Sequence, residues 1–92
     1  MTMTSEIGKL LIALDNATTT VWGDDACITH IIPSPRYKET GVLLDVTISV
    51  FKHKYSDDDY EIKMDIWDSL IYNSVFNYAN ALLKVDIHFK EM

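Results

Sequence analysis

The side chains of this chain best suited to nucleophilic or metal chemistry are Cys27 and the three histidines His30, His53 and His88. Their spacing matches no H-x-x-x-H, C-x-x-C or H-E-x-x-H pattern, so no standard zinc motif is written locally and no metal site is expected. Cys27 and His30 are three residues apart in a stretch rich in β-formers. In a regular extended chain that spacing places them on opposite faces, so a Cys–His nucleophile pair is not expected. Asp57, Asp58 and Asp59 are adjacent, and no glycine follows them. An EF-hand calcium loop instead needs ligands at alternate positions, a central glycine and a distal glutamate, so this run reads as a solvated turn. The three glycines, Gly8, Gly23 and Gly41, are too dispersed to cradle a phosphate. Ser34 sits between two prolines with no base beside it, and there is no G-x-S-x-G elbow. The chain is read as non-enzymatic and without a cofactor.

One feature does stand out. Six of the fourteen acids fall between positions 57 and 68, namely Asp57, Asp58, Asp59, Glu61, Asp65 and Asp68, and Lys63 is the only base among them. A concentrated negative surface raises the rate of encounter with a positive partner and makes binding salt-sensitive. It also imitates the phosphates presented to a nucleic-acid-binding protein. These six residues are the candidate binding surface.

The elements that must carry them follow from periodicity. Ile7, Leu10, Leu11 and Leu14 recur at helical spacing, which predicts a helix over roughly 5–15 with a stop near Asn16. Thr18–Trp22 is β-branched and aromatic and reads as a short strand. Gly23-Asp24-Asp25 is a turn signal. Ala26–Ile32 is a second strand, closed by Pro33-Ser34-Pro35, and Arg36–Gly41 is an exposed loop. From Val42 to Tyr55 the pattern is that of a long strand. Val42, Leu44, Val46, Ile48 and Val50 share one face, and Asp45, Thr47 and Ser49 share the other. A change of apolar parity at Phe51 suggests a β-bulge.

After a turn at 56–59, Tyr60, Ile62, Met64 and Ile66 alternate with Glu61, Lys63 and Asp65. This predicts a hairpin with Lys54 opposite Glu61 and Tyr55 opposite Tyr60. The rival is one long helix from Asp57 to Leu83, because Tyr60, Met64, Trp67, Ile71, Val75, Tyr78 and Leu82 also fit helical spacing. Ser69–Lys84 is helical in either reading. Val85, Ile87 and Phe89 alternate with Asp86, His88 and Lys90 as a final strand. The order α-β-β-β-β-α-β gives one α+β domain over residues 1–92, a largely antiparallel sheet with two helices on one face.

Composition narrows the function. The 92 residues are 48% apolar and 24% charged, ordinary for a globular domain, and the net charge is −6. That charge argues against direct nucleic-acid binding and against anionic membranes. A lone cysteine excludes an intramolecular disulfide, and no leader or membrane span is read, so a cytoplasmic setting is expected. The expected function is stoichiometric binding of another protein with a basic surface through the acidic segment. Its concrete form is a phage- or mobile-element-encoded inhibitor of a host nuclease, restriction or CRISPR effector. The alternatives are an assembly subunit forming a homo-oligomer, and an immunity protein neutralising a basic toxin.

Overall fold

The computed structural model describes residues 3–75 and 81–92. Helix α1 runs Met3–Trp22, a full turn and more beyond the stop expected at Asn16. Thr18–Trp22 is therefore helix, not strand. The reason is visible in the stripe Leu10, Leu14, Ala17, Thr18 and Trp22, all buried. These residues continue the spacing that begins at Ile7, and tertiary burial overrides the β-propensity of the threonine run. Gly23, at φ 60°, opens the short 3-10 turn Gly23–Asp25.

Strand β1 is Ala26–Pro33 and strand β2 is Leu44–Val50; they pair antiparallel, Ala26 opposite Val50 and Pro33 opposite Leu44. The bulge lies in β1, between Ile28 and His30, and not near Val50 and Phe51. Its extra residue is Thr29, whose hydroxyl meets the Ser49 hydroxyl at 3.0 Å. Between the strands, Tyr37–Thr40 form a single-turn helix, α2, ended by Gly41 at φ 75°. There the Gly41 N–H reaches back to the Tyr37 carbonyl. The parity change after Val50 marks the end of β2 and a 3-10 turn over Lys52–Lys54.

The hairpin is absent. Residues 57–74 form one helix, α3, Asp57–Ser74, so the strand expected over 60–66 is helical, as in the rival reading. The helix stops at Ser74, short of both the Leu83 end of that reading and the expected helix Ser69–Lys84, because Val75 is extended (φ −121°, ψ 116°). Lys54 does not face Glu61. It pairs with Asp25 at 2.8 Å, and the Tyr55 hydroxyl donates to the same carboxylate at 2.7 Å. What reads as a polar turn is a helix start: the Ser56 hydroxyl accepts the Asp59 N–H at 3.1 Å, and three aspartates occupy the positive end of the helix dipole. Tyr60, Met64, Trp67 and Ile71 then form the inward face.

Strand β3, Val85–Glu91, lies beside β2 and runs parallel to it, Leu44 opposite Val85 and Val50 opposite Glu91. The sheet is thus three-stranded and mixed, β1-β2-β3, with one antiparallel and one parallel pair. The α+β class holds; the strand count and the dominance of antiparallel pairing do not.

Val46, Ile48 and Val50 on β2, with Val85 on β3, face the buried side chains of α1 and of Trp67 and Ile71 in α3. Both long helices therefore cover one face of the sheet. Trp67 packs edge-on against Phe89 at 5.0 Å between ring centres, and Trp22 joins them from α1. The Trp67 indole donates to Thr18 at 3.0 Å in the interior. The apolar stripe Ile71, Val75, Phe76, Ala79 and Leu82 of the expected helix 69–84 should pack on the sheet with Leu11: Ile71 and Val75 are buried and Leu82 and Leu11 half-buried, while Phe76 and Ala79 lie outside the described residues. No described helix is long and apolar enough to cross a membrane.

Candidate binding surfaces

At 3.6 residues per turn, successive helical positions are about 100° apart. On α3 this places Asp57, Asp58, Glu61, Asp65 and Asp68 within one arc of about 100°, flanking the packed face that carries Trp67 and Ile71, with Asp58 farthest from it. All five are exposed. Asp59 is exposed too, but falls outside the arc, beside Ile66. The six acids expected as a binding surface are therefore all at the surface, five of them in one stripe.

Lys63, the one base in the segment, does not share it. Its ammonium donates to the Val21 carbonyl at 3.3 Å and lies 5.3 Å from the centre of the Tyr55 ring, on the side of α3 turned toward α1. Among the described residues, Asp58, Glu61 and Asp65 make no side-chain ion pair. Salt bridges elsewhere include Arg36 to Glu39, Lys52 to Glu91 and Lys54 to Asp25.

Apolar side chains flank the stripe. Ile62 and Ile66 are 58% and 48% exposed, one turn apart along the same edge of α3. Beyond them a groove of about 280 Å³ runs between α1 and α3, with Ala13, Ala17 and Leu70 in its lining. Exposed charge of one sign steers the encounter with a partner of the other, and adjoining apolar side chains can add contact.

The sheet face away from the helices is polar and uncovered by either long helix. Pairing lines up Asp45 with Asp86, Thr47 with His88 and Ser49 with Lys90 across β2 and β3. On the other side, Cys27 pairs with Ser49 and His30 with Thr47. Cys27 and His30 consequently share a face, against the expectation from simple alternation, because the Thr29 bulge inserts one residue between them. Among the described residues, one donor atom each from Asp45, Asp86 and His88 lie within 4.8 Å of one another. No short-range spacing signals this cluster. It is assembled by a parallel pairing of strands some forty positions apart, although the polar alternation of each strand is readable on its own.

Shifted titration begins at the turn joining α1 to β1. The Lys54 ammonium and the Tyr55 hydroxyl, both bonded to Asp25, hold its carboxyl below the ordinary carboxylate value. The same bond to Asp25 pushes the Tyr55 phenol up. Burial raises Tyr60, and the Glu91 carboxylate raises Lys52. These are contacts that tie the 3-10 turn and the last strand to the body of the molecule. No protein-family model, curated protein or solved structure matches the chain.

Proposed function

We propose that this chain is a non-enzymatic protein that binds a basic surface on another protein through the acidic stripe of α3. The supporting observation is the stripe Asp57, Asp58, Glu61, Asp65 and Asp68, with the segment's only lysine held on the other side of the helix. A rigid helix presents carboxylates at fixed intervals, which favours a partner whose own positive charges are ordered, as in the groove of a nucleic-acid-binding protein. A phage- or mobile-element-encoded inhibitor of a host nuclease, restriction or CRISPR effector is the concrete form of this proposal, acting in the cytoplasm. An immunity protein against a basic toxin uses the same surface and chemistry.

The test is a pair of baits: the native chain, and a variant carrying Asp58→Asn, Glu61→Gln and Asp65→Asn. Proteins captured from a host lysate are quantified for both. The proposal predicts basic proteins that are enriched on the native bait, eluted by raised salt and lost from the variant. An identical set on both baits rejects it.

A second reading rests on a different observation. β1 is an edge strand of eight residues, and its Ile31 and Ile32 are about half exposed. Open edges of this kind pair with other chains, which is the route to an assembly subunit. A concentration-independent mass above that of the 10.5 kDa monomer, abolished by Ile31→Lys, supports assembly. A monomeric mass at all concentrations removes it.

A further inference from the structure

We propose that Asp45, Asp86 and His88, on the sheet face opposite the helices, form a binding site for a divalent transition-metal ion of the zinc class. The site follows from register. Parallel pairing sets Asp45 directly opposite Asp86, and the two-residue period of the strand brings His88 to the same face. Like charges directly opposite one another in a sheet repel. Here no side-chain hydrogen bond or ion pair to a described residue relieves them, and His88 makes none either. A dication between the two carboxylates turns that repulsion into attraction.

The donor set selects the ion. Calcium and magnesium favour shells made of oxygen alone. An imidazole nitrogen beside two carboxylates suits zinc, cobalt or nickel. Donors at about 2.1 Å from one ion lie no more than about 4.2 Å apart. The 4.8 Å envelope of the three donors therefore closes by small side-chain rotations, without moving the strands. β2 is the central strand, hydrogen-bonded on both sides, so the backbone carrying Asp45 is the most rigid in the sheet. Asp45 is half-buried, and Asp86 and His88 are exposed, leaving the solvent side of the ion open to water or to a donor from another molecule. The site shares no residue with the acidic stripe of α3 and stands or falls separately from it.

The experiment is calorimetric titration of the full chain with zinc chloride and with magnesium chloride. It is repeated for Asp86→Asn, His88→Gln and the double variant, with His30→Gln and His53→Gln as controls. The proposal predicts one zinc ion per chain and no displacement by equimolar magnesium. Loss of either ligand should weaken zinc binding by at least the 10–100-fold that losing an outer-shell partner costs, about two orders of magnitude at the upper end. The two control variants should bind as the native chain does. Asp86 and His88 are exposed, so circular dichroism of their variants should match the native spectrum. Absence of zinc binding by the native chain at millimolar metal overturns the proposal. So does undiminished binding by the double variant, or a loss that follows His30 or His53 instead.

Discussion

At the scale of single residues, two interior contacts carry consequences that a stability measurement reads. Among the described residues the Trp67 indole N–H donates to Thr18, both side chains being buried. Thr18→Val keeps the shape and removes the acceptor, so it should destabilise the fold by about 1–3 kcal/mol, the cost of stranding a buried donor. Urea denaturation checks this, and a change under about 0.5 kcal/mol would mean the indole finds another acceptor. Asp25 yields a prediction in pH. Its folded-state pKa lies below its unfolded value of about 3.9, because Lys54 and Tyr55 bond the charged form. The stability it contributes is present above that unfolded value and is lost as pH falls through the lower folded one. The melting temperatures of native and Asp25→Asn proteins should therefore differ most at neutral pH and converge as pH falls below the ordinary carboxylate value and through the lowered folded one. A gap that stays constant through this range would separate Asp25 from the acid sensitivity.

The element scale shows what was legible in the residues and what was not. The alternations at Leu44–Val50 and Val85–Glu91 are readable as strands because each sets its apolar residues toward the helices and its polar residues on the other face, while Ala26–Pro33 is readable from its β-forming residues although it is exposed from Thr29 on. Segment 60–66 satisfies two periods at once. Ile62 and Ile66 complete the strand pattern, yet both are exposed, while the helical set Tyr60, Met64 and Trp67 is the one that is packed. Periodicity alone does not distinguish them; the aromatic contacts of Trp67 with Trp22 and Phe89, far away in sequence, decide. Ser56-x-x-Asp59 was the available local clue, as an N-cap with acids in the first turn. Ser56→Ala should lower stability by about 1 kcal/mol. Amide exchange should show the first turn of α3 opening sooner while Trp67 to Ile71 stay protected. Equal exchange along all of α3 would show that packing alone sets the helix start.

At the scale of the whole molecule, the helices and the sheet present two chemically different sides. One is an acidic helix face bordered by isoleucines; the other is a polar sheet face with histidines and carboxylates. The acidic segment is legible in the chain as a charge count, and its shape as a stripe needed the helix. The sheet cluster needed the parallel register, which no local pattern encodes. The α3 stripe is proposed as the working surface of the molecule. Its most direct test is the association rate constant with the captured basic partner, measured from low to high ionic strength, for the native chain and for Asp58→Asn/Glu61→Gln/Asp65→Asn. Charges that steer an encounter set its rate and its salt dependence. The native rate should fall steeply with salt, and the variant should be slower at low salt and nearly insensitive to it, with circular dichroism unchanged. Equal rates with equal salt slopes, in a folded variant, would contradict the claim.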